Sequence, residues 1–273
     1  MKHLIVCDLD GSLLNHEGDV AAFSKRVLRH LESLGHKVII ATGRPYSAAI
    51  NIYLDLGINN PLITDNGGMI HHPKDPSFKQ IKTLIPKAVT HKLFKATRDY
   101  LDSAFYSDDE RVYAYKYDPR LRMFFSSLDK REVIDKPFDE FETEATGIIY
   151  LVKTLHIKAF EDYMKLECKD VLSFRMWGLD QKHAVYEIYL SHISKASAID
   201  HVRQWFNIDR SNVIAFGDGV NDLEMLEYAN PGVAMKNAMP ELKEVADIIM
   251  DKTNDEHGIA YFLLKHFNIT LPE

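Results

Sequence analysis

The stretch Leu4-Ile5-Val6-Cys7-Asp8-Leu9-Asp10-Gly11-Ser12-Leu13-Leu14 opens with a short apolar run that stops at an acidic residue. A continuous apolar run of this length, closed by polar and glycine residues, is the pattern of a strand buried on both faces of a parallel sheet. Downstream, Phe23, Val27, Leu28, Leu31 and Leu34 recur at helical spacing, which predicts a helix from about Val20 to Leu34. Asp19 fits its N-cap and Gly35 its C′ position. Val38 to Ala41 is a second buried strand and ends in Thr42-Gly43-Arg44. Pro45 fits the first turn of a helix reaching Leu56, which Gly57 closes. Pro61 to Thr64 is a third strand, followed by a turn at Asp65-Asn66-Gly67-Gly68. Strand, helix, strand, helix, strand is the grammar of a parallel α/β sheet with crossover helices.

That grammar breaks after residue 82. From about Thr83 to Tyr189 the pattern predicts a helix (Lys87 to Leu101), strands rich in Tyr and Phe, a helix (His156 to Leu166) and strands at Leu172 to Met176 and Val185 to Leu190. This mixture predicts an α+β layer with an antiparallel sheet. The parallel grammar returns with a helix from Lys195 to Trp205 and a strand from Val213 to Phe216. A turn at Gly217-Asp218-Gly219 and a short helix from Asp222 to Tyr228 follow. Val233 to Met235 and Ile248 to Met250 read as strands; helices are expected near Glu241 to Val245 and Ile259 to His266. The expected organisation is a core of residues 1–82 and 190–273, interrupted by an inserted domain of residues 83–189. No repeat, low-complexity segment or long linker interrupts it.

The 273 residues suffice for one large or two smaller domains with a real core. A net charge of −7 argues against a nucleic-acid partner, because such domains are usually basic. The apolar run at Leu4 to Cys7 is too short for a signal peptide, and no apolar run approaches the roughly 18 residues of a membrane span. The two cysteines, Cys7 and Cys168, form no metal-binding spacing. The expectation is therefore a cytoplasmic protein, monomer or homodimer, with neither membrane nor nucleic acid as a partner.

Polar clusters fall at the expected C-terminal ends of strands or on adjoining helix starts: Asp8/Asp10, Thr42/Arg44, Lys195 and Asp218/Asn221/Asp222. Ligands bind at that edge of an open parallel sheet. Singly, each is unremarkable: a strand-end Asp is most often a turn or cap residue, and Asp-Gly is a common turn. Their joint placement is what points to chemistry. A strand-end carboxylate, Asp8, can attack phosphorus and split hydrolysis into two steps. Repulsion between anions opposes the attack, and a hard cation such as Mg²⁺ relieves it. Asp8 and Asp218 offer carboxylates to such an ion, and the backbone carbonyl of Asp10 a third oxygen. The Asp10 carboxyl can protonate the leaving alcohol and then deprotonate water. Thr42 and Lys195 can hold phosphoryl oxygens. Gly11, Gly43 and Gly219 permit close backbone approach. Asp222 remains open between metal ligand, orienter of Lys195 and plain N-cap.

Other features read as structural. Phe105 to Phe125 is expected in the insert core, His71-His72 solvated in a turn or hairpin, and Cys7 on the opposite side of its strand from Asp8. The thirteen histidines show no HExxH spacing.

These motifs resemble those of haloacid dehalogenase superfamily phosphatases of the Cof type with a C2-type cap. The matching segments are DLDGSLL (Asp8 to Leu14), ATGR (Ala41 to Arg44), Lys195 in SKASAI, and FGDGVNDLEML (Phe216 to Leu226). Asp65-Asn66-Gly67-Gly68 and the segment VAMKNAMPELKEVAD also match, so the resemblance spans the core; in the insert only length and order of elements agree. It implies a Rossmann-like core with an inserted α+β cap, Mg²⁺ and a covalent aspartyl-phosphate. It implies Asp8 as nucleophile, Asp10 as acid/base, and Asp8, the Asp10 carbonyl and Asp218 as metal ligands. Phosphate contacts are implied for the Leu9 and Gly43 backbone, Thr42, Lys195 and Asn221. Arg44 is a further candidate for substrate contact, and Asp222 is expected behind the ligands, orienting them. Ser12 replaces the usual Thr. Lys236 replaces the usual Gly, which either adds a positive charge near the substrate mouth or alters a turn, the turn being favoured. The expected substrate is a small phosphorylated metabolite, a sugar phosphate or phosphorylated cofactor, with the insert closing over the site. Alternatives are a phosphosugar mutase, an aspartate-phosphorylated switch and a catalytically silent regulator.

Overall fold

The computed structural model describes residues 2–108, 111–119 and 131–271. It divides into two compact units, Met1–Ile81 with Ile193–Glu273, and Lys82–His192.

The first unit begins with β1 (Leu4–Cys7), every residue of which is buried. This is the fate of a central parallel strand covered on both faces, where each Leu, Ile or Val side chain removed from water contributes roughly 1.5–3 kcal/mol. Then come α1 (Ala22–Ser33), β2 (Lys37–Ala41), α2 (Tyr46–Leu56), β3 (Leu62–Thr64), β4 (Met69–His71) and β5 (Ile81–Lys82), whose second residue is the first of the second unit.

The second unit holds α3 (Lys87–Thr97), β6 (Leu101–Ser107), β7 (Arg111–Tyr115), β8 (Glu132–Asp135), β9 (Gly147–Lys153), α4 (Ile157–Tyr163), β10 (Leu172–Leu179) and β11 (His183–Leu190). These strands form a sheet in the order β10-β11-β9-β6-β7-β8, antiparallel except for the β7–β8 pair. Phe94 of α3 packs on Phe138, and Phe160 of α4 packs on Tyr150 and Tyr186, giving this unit its own aromatic core. Phe105, Tyr106 and Tyr113 are buried as expected for the aromatic stretch. Its continuation from residue 120 to Phe125 lies outside the described residues.

The chain returns to the first unit with α5 (Lys195–Trp205), β12 (Val213–Gly217), α6 (Leu223–Tyr228), β13 (Gly232–Ala234), α7 (Pro240–Val245), β14 (Ile248–Ile249) and α8 (Gly258–His266). The sheet order is β14-β13-β12-β1-β2-β3-β4-β5. β1 pairs in parallel with β2 on one side and β12 on the other. The chain winds outward in opposite directions from β1 and β12, so the crevice beyond their C-terminal ends is the topological switch point where open α/β sheets bind ligands.

Several boundaries differ from the sequence reading. Asp19 does not cap α1. Asn15 Oδ1 accepts from the Asp19 amide at 2.9 Å and Asn15 N donates to Asp19 O at 3.0 Å, closing a loop that delays the helix to Ala22. Pro45 is the N-cap of α2 rather than its first residue. The helix expected to reach Leu101 ends at Thr97. A 3₁₀ turn over Arg98–Tyr100 follows, and Leu101 opens β6. β10 and β11 are longer than predicted because Asp180 Oδ1 accepts from the Lys182 and His183 amides, both at 2.7 Å, and tightens the hairpin between them. His71 lies in β4, the return strand of a hairpin with β3, as one of the two expected settings has it; its ring is half-buried and stacks on Tyr46, with centroids 4.1 Å apart, rather than standing in solvent.

Candidate active site

Asp8 is the first residue past β1, and its amide donates to Phe216 O of the neighbouring β12 at 3.0 Å. The chain then turns sharply. Gly11 adopts φ +72, which glycine enters without steric cost, and the Leu13 amide donates back to Asp8 O at 3.2 Å. The turn leaves Asp8 4% exposed.

From the other side comes Lys195, the first residue of α5. The Ser194 hydroxyl caps that helix by accepting from the Ser197 amide, which fixes the direction of Lys195. Its ammonium donates to Asp8 Oδ1 at 2.6 Å and to Asp222 Oδ1 at 2.6 Å, and all three side chains are buried. Asp222 Oδ2 accepts from the amides of Asp218 at 3.0 Å and Gly219 at 3.1 Å. Both oxygens of Asp222 are thus engaged, one on Lys195 and one on the turn that presents Asp218. Asp218 Oδ1 accepts from the Ser12 hydroxyl at 2.9 Å.

Ligand oxygens of Asp8, Asp218 and Asp222 all lie within 4.8 Å of one another. Three carboxylates face one ammonium, so full ionisation leaves an uncompensated negative charge in a buried place. Burial, with the neighbouring Asp222 and Asp218, pushes the Asp8 carboxyl well up, against the lowering pull of Lys195. Burial, and the charges of Asp222 and Asp10, push Asp218 up to about 6 against the Ser12 hydrogen bond and Lys195. Burial alone would lower Lys195, but Asp222 and Asp8 hold it above its ordinary value. A hard oxygen donor set short of positive charge fits a divalent cation. Space is kept open beside it: a Cβ on Gly11 would stand 2.2 Å from Asp218 Oδ2.

Beyond β2, Thr42 is fully buried, and its Oγ1 accepts from the Arg44 amide at 3.1 Å. Gly43 lies against Asn66, where a Cβ would stand 3.0 Å from the Asn66 Oδ1. That oxygen accepts from Asn221 Nδ2 at 3.1 Å. Asn66 therefore links the loop after β2 to the loop after β12, and its amide donates to Thr42 O at 3.1 Å. The structure thus gathers Asp8, Lys195, Asp218 and Asp222 into one charged cluster and joins Gly43 to Asn221 through Asn66. The Asp10 carboxylate is outside the group of three carboxylates. It points to Arg44, which donates from Nε to Oδ2 at 2.8 Å and from Nη2 to Oδ1 at 2.6 Å. Leu9 is buried in the turn after Asp8.

Two residues escaped the sequence reading in their roles. Ser12 bonds Asp218 across a long sequence separation that no local pattern reports. Asn66 could have been suspected, because an Asn before two glycines suits the left-handed backbone it adopts, φ 52. Lys236 sits in a turn: its amide donates to Lys252 O at 3.2 Å, and its carbonyl accepts from Lys243 Nζ at 2.6 Å. Cys7 is buried, and burial followed by the charge of Asp8 pushes its thiol up, which removes it from nucleophilic chemistry. Among the described residues, no helix is long and apolar enough to cross a membrane.

The family of haloacid dehalogenase-like hydrolases matches residues 5–263. The chain is 30% identical over 268 residues to the 5-amino-6-(5-phospho-D-ribitylamino)uracil phosphatase YitU of Bacillus subtilis, covering 98% of each. It is 31% identical over 272 residues to a putative phosphatase of Metamycoplasma hominis, covering 96% of this chain and 95% of that one. A solved haloacid dehalogenase-like hydrolase from B. subtilis superposes with a TM-score of 0.77 at 26% identity, over 97% of this chain and 99% of that one. Another, from Bacteroides thetaiotaomicron, shares the fold with a TM-score of 0.79 at 23% identity, over 98% of this chain and 100% of that one.

Proposed function

We propose, from the premise that the chain belongs to the haloacid dehalogenase-like hydrolase family and hydrolyses phosphoric monoesters, that it is a Mg²⁺-dependent phosphatase of small phosphorylated metabolites working through an aspartyl-phosphate on Asp8. The observation that carries this reading is the buried cluster in which Lys195 lies 2.6 Å from both Asp8 and Asp222, with Asp218 beside them.

Each side chain has a task in this reading. Lys195 holds one oxygen of Asp8, leaving Oδ2 to attack phosphorus in line with the leaving oxygen. The P–O bond to the leaving group breaks as the Asp8–phosphorus bond forms. Asp10 gives its proton to the departing alcohol, and then takes one from the water that cleaves the acyl phosphate. Charge grows on the equatorial oxygens, where Lys195, the Thr42 hydroxyl and the Asn221 amide supply preorganised donors, together with the backbone amides of Leu9 and Gly43. Asp222 keeps Lys195 aimed and Asp218 presented. The carboxylates of Asp8 and Asp218 and the Asp10 carbonyl would hold Mg²⁺, which would neutralise the anions that oppose attack.

Substrate choice we assign to the inserted unit, Lys82–His192. YitU and YwtE, both of B. subtilis, are each named for a phosphate ester of a ribityl-pyrimidine. That chemistry, a phosphorylated polyol beside a heteroaromatic ring, belongs in the first substrate panel with hexose and pentose phosphates. The test is phosphate release across the panel, with Mg²⁺ present and after chelation. Mg²⁺-dependent release is expected. Full turnover after EDTA removes the metal from the reading, and isomerised sugar phosphate in place of free phosphate assigns the chain to mutases.

A further inference from the structure

β1 and β2 run in parallel with Cys7 opposite Ile40, so the segments leaving their C-terminal ends are neighbours. Asp10 and Arg44 leave those ends and meet. Arg44 Nε donates to Asp10 Oδ2 and Nη2 to Oδ1, at 2.8 and 2.6 Å. A two-point guanidinium fork fixes the plane of a carboxylate as well as its position, which a single charge cannot do. Arg44 is itself held at its backbone: its amide donates to Thr42 Oγ1 at 3.1 Å, and its carbonyl accepts from the Asp65 amide at 3.1 Å. The Asp10 side chain is 59% exposed, so it has little packing to orient it. Without the fork, the group would turn freely about a broad torsion; when one oxygen of Asp10 carries the proton to be donated, the other still accepts from Arg44, so the guanidinium orients the acid form as well.

We infer that Arg44 is a positioning residue, acting on the reaction through the Asp10 carboxylate and not by gripping the phosphoryl group. The inference rests on the reading of Asp10 as the group that protonates the leaving oxygen. It has a consequence that a phosphate-binding arginine would lack. An alkoxide leaving group needs Asp10's proton as the P–O bond breaks, whereas p-nitrophenolate departs without one. The ratio kcat/KM reports the steps up to leaving-group departure. Loss of Arg44 should therefore penalise alkyl phosphates selectively.

The experiment compares kcat/KM at saturating Mg²⁺ for p-nitrophenyl phosphate and an alkyl phosphate, in the wild type, Asp10→Asn, Arg44→Ala, Arg44→Lys and the Asp10→Asn/Arg44→Ala pair. For the alkyl phosphate, Arg44→Ala is expected to lose about 10²-fold, the scale of a misplaced reacting group. Arg44→Lys, which keeps the charge without the fork, should show the same selective loss. Both should lose much less on p-nitrophenyl phosphate, and Arg44→Ala should add nothing in the Asp10→Asn background. Equal losses on both substrates, or a full additional loss in that background, overturn the inference while Asp10→Asn still discriminates between leaving groups. If Asp10→Asn itself fails to discriminate, the reading of Asp10 falls and this inference with it.

Discussion

The Lys195 ammonium donates to Asp222 Oδ1 at 2.6 Å where neither side chain reaches solvent, so Asp222 is as much a part of the lysine's setting as Asp8 is. Removing one partner of a buried ion pair leaves an uncompensated charge and costs about 3–5 kcal/mol. Lys195→Met is expected to lose stability on that scale, read by urea unfolding of the metal-free protein. The loss should depend on pH. Asp8 and Asp218 already have folded-state pKa values raised by burial, and removal of the cation raises them further. The folded state then binds protons that the unfolded state does not, so stability is regained as pH falls through the folded values. A pH-independent loss between pH 7 and 5 would contradict this account.

Asp218 governs a second pH dependence. Its carboxyl, pushed up to about 6 chiefly by burial, is mostly ionised at pH 7 and mostly protonated at pH 5 in the metal-free protein. Metal competes with that proton, so Mg²⁺ affinity should fall by up to about tenfold per pH unit below 6. Calorimetric titration with Mg²⁺ at several pH values checks the direction. Equal affinity at pH 7 and 5 would mean that Asp218 does not serve as a ligand.

Gly11 is a third point of leverage. An alanine there would be strained at φ +72, and its Cβ would stand 2.2 Å from Asp218 Oδ2. Gly11→Ala is expected to weaken Mg²⁺ binding and activity together, with a loss of about 1 kcal/mol or more in stability from the left-handed backbone alone. Wild-type Mg²⁺ affinity in this variant would show that the turn relaxes away from the cluster.

How much of this was legible in the sequence depends on the range of each signal. The core strands at Leu4–Cys7, Lys37–Ala41 and Val213–Gly217 are short apolar runs ending in polar residues, and local pattern suffices to find them. Lys195 is placed by the sequence at the start of a helix, and α5 opens there; the Ser194 cap that fixes that start is seen only in the structure. The apolar spacing places the start of α1 too early because Asn15 closes a loop over Asp19, a contact that competes with capping. The partnership of Arg44 with Asp10 was out of reach for a different reason. Both lie at strand ends in the sequence reading, but only β-pairing and a side-chain rotamer bring them together. The Ser12–Asp218 bond is likewise tertiary. In the insert, element lengths failed where a hairpin turn built on Asp180 extended two strands.

The most direct test of the central claim is to quench the enzyme in acid during turnover of a good substrate with Mg²⁺ and locate the phosphoryl group by peptide mass spectrometry. A phosphoryl group on Asp8, absent in Asp8→Asn together with activity, is the predicted result. Phosphate release by Asp8→Asn at the wild-type rate, with no adduct on Asp8 in the wild type, would contradict the account.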